Sequence, residues 1–252
     1  MKVHYKVLGR GEPTLVLVHG WTCNLGFWSG QAPLASSMRI VLIDLPGHGL
    51  SDKPELTYSM QLMARGLEAV LRDARVARAV LAGHSMGTAV IWQFWRQFPD
   101  KTQALIAVDG AFRAFLNTQE DRDKWAARYK GTDYKTSMAG MLDGLIGKTA
   151  APALREGIKS EMLKTPQHVA ASAAYEMSDP KVFEREPAIG VPVLGVYAPY
   201  WPPDYRPAIE AFIPKLDFQT MPGVGHFLMM EKPETFNDLV RAFLRKQGLS
   251  KP

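Results

Sequence analysis

Short continuous runs of apolar residues recur along the chain: Thr14 to Val18, Ile40 to Ile43, Ala79 to Ala82, Leu105 to Val108 and Val193 to Val196. None alternates with polar residues, so each fits a strand covered on both faces, as in a parallel sheet. Between the runs the period becomes helical. Met63, Leu67, Val70 and Leu71 fall at i, i+4, i+7 and i+8, and Phe236, Leu239, Val240, Phe243 and Leu244 continue one stripe behind Pro233, which suits a first helical turn. Met1 to Gly9 and Asp217 to Met221 read as further strands. Strands alternating with amphipathic helices predict an α/β fold, a mostly parallel sheet flanked by helices.

The alternation stops between Gly110 and Gly190, where no strong strand signal occurs. Met138, Met141, Leu142, Leu145 and Ile146 form an apolar stripe, and Thr165-Pro166 reads as an N-cap and first helical position before Val169, Ala170, Ala173 and Met177. The spacing predicts a helical insertion over 110–190, lying on the C-terminal edge of the sheet, with the α/β core in 1–109 and 191–252. Ligand sites of open α/β sheets lie at that edge.

Composition narrows the classes. The chain has 252 residues, 46% of them hydrophobic and 22% charged, ordinary values for a globular protein. The net charge of +5 is scattered without a basic cluster, which argues against nucleic acid as a partner. The single cysteine, Cys23, excludes an intrachain disulfide framework and a cysteine-based zinc site, and fits a reducing compartment. No apolar run nears the ~20 residues of a membrane span. Lys2, His4 and Lys6 interrupt the N-terminal apolar residues, which therefore read as a strand and not as a signal peptide. The expectation is a cytoplasmic monomer or homodimer that does not engage a membrane.

Gly83-His84-Ser85-Met86-Gly87 follows a predicted strand and precedes the helix-like run Thr88 to Phe98. This is a G-x-S-x-G turn in its strand–turn–helix setting. The sharp turn strains the serine backbone and presents its hydroxyl at a helix N-terminus, where developing negative charge is favoured. A serine hydroxyl is a weak nucleophile and needs a base. Of six histidines, His226 lies in the glycine-rich segment Pro222-Gly223-Val224-Gly225-His226-Phe227, which can carry an imidazole to Ser85. His19 and His48 sit in turn motifs and suit backbone hydrogen bonding.

The chain resembles the α/β-hydrolase superfamily in its single-domain form with a helical cap. The resemblance rests on His19-Gly20-Trp21, on Asp44-Leu45-Pro46-Gly47-His48-Gly49-Leu50-Ser51, on the Ser85 turn, and on Gly225-His226 followed by Glu231-Lys232-Pro233-Glu234, in that order. It implies an eight-stranded (or seven-stranded) sheet with the cap inserted after strand six. It also implies an oxyanion hole built from the backbone N–H groups of Trp21 and Met86. The usual acid position, three residues beyond Ala198, holds Trp201. Two acids remain: Asp109, favoured because it ends a rigid strand before Gly110, and Asp204, on a longer loop stiffened by Pro202-Pro203.

A serine nucleophile implies acyl transfer to water, where relatives with an aspartate at that turn do other chemistry. The expected activity is carboxylic ester hydrolysis of small to medium apolar or aromatic esters through Ser85, His226 and Asp109. The rivals are a carbon–carbon hydrolase or cofactor-free perhydrolase on the same triad, and a slow-turnover small-molecule receptor. Phe112, Trp125, Met138, Met141, Tyr200 and Trp201 are expected to line an apolar pocket. No cofactor and no metal are expected, since no phosphate-binding loop or convincing histidine pair is present.

Overall fold

The computed structural model describes residues 1–148, 150–184 and 188–250. Seven strands form one sheet: β1 (Tyr5–Leu8), β2 (Thr14–Val18), β3 (Arg39–Ile43), β4 (Ala79–His84), β5 (Thr102–Val108), β6 (Val193–Tyr197) and β7 (Leu216–Thr220). Their order is β1-β3-β2-β4-β5-β6-β7, with β1 antiparallel to β3 and every other pairing parallel. The unbroken apolar runs are the central strands. All residues of β2 and β4 are buried, because helices cover both faces.

Helix α1 (Met60–Asp73) is capped by Ser59, whose hydroxyl accepts from the Leu62 N–H. Helix α2 (Met86–Gln97) follows the Ser85 turn. The helices α3 (Gln119–Ala127), α4 (Tyr134–Leu145), α5 (Pro152–Met162) and α6 (Gln167–Met177) all lie between β5 and β6. With seven strands in the sheet, these helices follow the fifth strand in chain order, one earlier than expected. Helix α6 starts one residue later than its sequence signal. Thr165 does not cap it, since the Thr165 hydroxyl donates to the Thr22 carbonyl and ties this segment to the loop after β2. Helices α7 (Tyr205–Glu210), α8 (Leu228–Glu231) and α9 (Pro233–Lys246) complete the chain. No helix among the described residues is long and apolar enough to cross a membrane.

Three fully buried histidines hold the loops at the C-terminal edge of the sheet. His19 donates from Nδ1 to the Gly20 carbonyl and accepts the Leu45 N–H at Nε2, over 2.8 and 3.0 Å. His48 donates from Nδ1 to the Pro46 carbonyl, and His84 from Nε2 to the His226 carbonyl, each over 2.9 Å. Burial disfavours the charged ring, lowering His19 to about 4 and His48 and His84 to about 3.

These rings make stability pH-dependent in a defined direction. In the unfolded chain each titrates near 6.5, above its folded value. Below that pH the unfolded state binds protons that the native state refuses, so stability falls with falling pH. The urea midpoint at constant ionic strength should be flat just above pH 7 and decline between pH 6.5 and 4. A midpoint constant across that window would show that the rings are not held neutral.

Candidate active site

Ser85 joins the end of β4 to α2 with φ 53° and ψ −118°, outside the usual wells of a non-glycine residue. The flanking glycines make that turn possible. A Cβ at Gly83 would stand 2.3 Å from the Gly87 carbonyl oxygen, and one at Gly87 would stand 2.5 Å from the Val18 carbonyl oxygen. Any side chain there would push the turn off β2. Two hydrogen bonds fix the strained residue: Ser85 N–H to the Val108 carbonyl, and Thr88 N–H to the Ser85 carbonyl, both 2.9 Å. Met86 is the first residue of α2, so no acceptor within the helix takes its N–H.

His226 sits between β7 and α8, and its backbone is held from two sides. Its N–H donates to the Leu145 carbonyl at the end of α4, and its carbonyl accepts from His84. The preceding Gly225 N–H donates to the Glu231 carboxylate at 3.0 Å. The imidazole Nδ1 lies 2.6 Å from Asp109 Oδ2. With Nδ1–H donating to that oxygen, Nε2 carries the free lone pair.

Asp109 directly follows β5 with φ 46°, its N–H bonded to the Val196 carbonyl and its carboxylate fully buried. Four donors surround it. Oδ1 accepts from Ala198 N–H at 2.8 Å and Trp201 Nε1–H at 2.7 Å, while Oδ2 accepts from His226 and from the Tyr200 hydroxyl. Burial pushes the carboxyl pKa up, but the His226, Tyr200 and Ala198 hydrogen bonds outweigh it and hold the pKa below the ordinary aspartate value. Asp204, the alternative acid, does not approach His226. Its side chain is 71% exposed and pairs with Arg113 Nη1 at 3.2 Å, because its loop leads straight into α7.

Ser85, His226 and Asp109 open onto one cavity of ≈ 920 Å³. Trp21, Met86, Trp125, Met141, Tyr200 and Trp201 also line it. Phe112 and Met138 do not, contrary to expectation. Phe112 turns into the core against Trp92, with ring centroids 5.5 Å apart, and its N–H is bonded by the Tyr205 hydroxyl. Met138 is buried on the inner side of α4, beside the Thr22 hydroxyl. The Trp21 ring is anchored to α6, donating from Nε1 to the Ala170 carbonyl at 2.9 Å and packing on Tyr129.

Sequence reasoning missed Met162, Met177 and Phe183 on the cavity wall, and Arg113 and Asn117 as its polar members. It also took Tyr200 and Trp201 as apolar wall and overlooked their donors. The available signal was two donor-bearing aromatics in the loop immediately after β6. Among the described residues no group of three or more His, Cys, Asp or Glu side chains is arranged to hold a metal ion.

A mostly parallel sheet with a strained serine turn and a buried histidine–aspartate pair at its C-terminal edge defines a hydrolase-type α/β fold. Residues 15–239 match the model of the alpha/beta hydrolase family, and the chain belongs to that family. A segment of 105 residues is 38% identical to an uncharacterized protein of Mycobacterium tuberculosis, covering 41% of this chain and 30% of that one, so the chain spans under a third of that relative. Over 262 residues it is 26% identical to the 2-hydroxy-6-oxononadienedioate/2-hydroxy-6-oxononatrienedioate hydrolase of Paraburkholderia phymatum, covering 97% of this chain and 91% of that one. Among solved structures, a thermophilic esterase from Thermogutta terrifontis superposes with a TM-score of 0.87 at 28% identity, covering 97% of this chain and 93% of that one.

The corrected position of Phe112 gives a test. Phe112→Ala should cost roughly 3–5 kcal/mol of stability, as a buried ring lost from a packed core does. Near the stability optimum, substrate preference should stay unchanged. Trp125→Ala, at the cavity wall, should instead alter KM across a substrate series. Denaturant unfolding beside steady-state kinetics reads both, and a stable Phe112→Ala variant with altered preference would return that ring to the cavity.

Proposed function

We infer that the protein is a serine hydrolase of small to medium apolar or aromatic carboxylic esters. The observation that carries this reading is the Ser85 turn sharing one largely apolar cavity with a His226–Asp109 pair bonded at 2.6 Å. Ser85 Oγ attacks the ester carbonyl carbon as His226 Nε2 takes its proton. The N–H groups of Met86 and Trp21 receive the negative charge on the carbonyl oxygen, a contribution of about 3–4 kcal/mol for each such donor. Collapse of that intermediate expels the alcohol, protonated by the imidazolium, and leaves an ester on Ser85. Water then attacks this acyl-enzyme with His226 again as base, and the carboxylic acid departs. Asp109 holds the imidazole in the tautomer with Nε2 free and stabilises its charged form.

The similarity to the Thermogutta terrifontis esterase supports ester cleavage, and the apolar lining supports an uncharged acyl group. One observation favours a second reading, cleavage of a carbon–carbon bond beside a carbonyl: the Paraburkholderia phymatum hydrolase matches over nearly its whole length. A p-nitrophenyl ester series beside a vinylogous diketone separates the two. Turnover of the diketone with none of the esters would replace the first reading with the second.

Ser85→Ala should abolish ester turnover while leaving the fold intact, and a serine-directed phosphonate should label the wild-type chain once, at Ser85. Activity above a few per cent in that variant, or a label mapped elsewhere, overturns the assignment.

The acid has its own test. Asp109→Asn should cost about 10⁴-fold in kcat, because an amide presents the wrong partner to Nδ1. Asp204→Asn, which loses only an exposed ion pair with Arg113, should keep nearly full activity. The opposite ranking, measured at one pH, would move the acid to Asp204.

A further inference from the structure

The segment after β6 does more than wall the cavity. Ala198 N–H and Trp201 Nε1–H both donate to Asp109 Oδ1. The Tyr200 hydroxyl donates to Oδ2, the oxygen that also accepts His226 Nδ1–H, and the phenol oxygen stands 3.1 Å from Nδ1. Tyr200 therefore touches both members of the pair, while half of its surface remains exposed at the cavity. We propose that Tyr200, with Trp201 beside it, is a positioning residue that sets the strength of the Asp109–His226 hydrogen bond and so the basicity of the imidazole acting on Ser85. The proposal rests on the triad reading given above.

A carboxylate oxygen that accepts two donors divides its charge between them. The Tyr200 hydroxyl thus lessens the hold of Oδ2 on the imidazolium, and Trp201 does the same through Oδ1. Neither side chain competes for the proton. Burial and the Asp109 charge raise the Tyr200 pKa, so the phenol stays protonated, and an indole N–H only donates. The three donors of this segment also fill the acceptor positions that would otherwise leave a buried carboxylate free to turn away from Nδ1. The backbone that carries the imidazole is fixed by its bonds to Leu145 and His84, so it does not shift with the carboxylate.

Tyr200→Phe removes the hydroxyl and keeps the ring. On a small activated ester, kcat should fall about tenfold, the loss expected for one hydrogen bond to a charged group, while KM changes little. The acid limb of kcat/KM should move up by about half a pH unit, since Asp109 relieved of one donor holds the imidazolium more tightly. The His226 ring resonance in the free protein, followed by NMR, should titrate with the same upward shift. Trp201→Phe should shift both readouts in the same direction. An unchanged pH limb and an unchanged His226 titration would overturn the proposal, as would a rise in KM alone, which is the signature of a wall residue. The NMR titration needs no turnover and separates the two readings. If Ser85→Ala stays active while Tyr200→Phe still raises the His226 pKa, the functional reading falls and the positioning role stands. If Ser85→Ala is inactive and the titration does not move, the reverse holds.

Discussion

A carboxylate that is fully buried and kept charged is the constraint around which the C-terminal edge of the sheet is organised. Burying an unpaired Asp109 would cost several kcal/mol or drive it to take up a proton. The fold answers with four donors from two separate pieces of chain: Ala198, Tyr200 and Trp201 in the segment after β6, and the ring of His226 between β7 and α8. Satisfying Asp109 and placing the His226 ring are therefore one act. The φ of 46° at Asp109 is the local cost, and it turns the carboxylate off the end of β5 toward β6 and the β7–α8 loop.

The same economy holds at Ser85. Its strained backbone is fixed by a bond to Val108, the residue before Asp109, so the two unusual residues share the edge of adjacent strands β4 and β5. The end of α4 joins in through backbone. Leu145 accepts from the His226 N–H, and Glu231 receives both the Gly225 N–H and the Gly147 N–H. A Cβ at Gly225 would stand 2.2 Å from the Gly147 nitrogen, so this loop and the segment after α4 are in direct backbone contact. Displacing the C-terminal end of α4 would move His226 as well as the cavity wall.

Much of this was legible in the chain because it depends on local rules. The unbroken runs of β2 and β4 declare burial on both faces, and Gly83 and Gly87 declare a turn tolerating no side chains. The boundary at Thr165 slipped because a hydroxyl that could cap a helix instead found the Thr22 carbonyl, 143 residues away in sequence. Phe112 and Met138 were misread for a related reason. Apolar periodicity says that a side chain is covered and leaves open whether core or cavity covers it. The donors of Tyr200 and Trp201 escaped notice because aromatic residues register first as apolar, and only the third dimension brings β6 beside β5.

The division of labour in the cavity follows from residue chemistry. Its polar groups are tied to the framework: the Ser85 turn by its bond to Val108, and His226 by its backbone bonds to Leu145 and His84 and by its ring bond to Asp109. The wall facing them is soft. Met86, Met141, Met162 and Met177 all line it, and unbranched thioethers fill irregular gaps with little preference among rotamers. Such a wall repacks around ligands of different shape at small cost, whereas a displacement of about 1 Å at a reacting group would be felt in every substrate's rate. Substitutions at Met141, Met162 or Met177 should therefore redistribute preference among substrates while leaving the Ser85 turn and the His226–Asp109 pair in place.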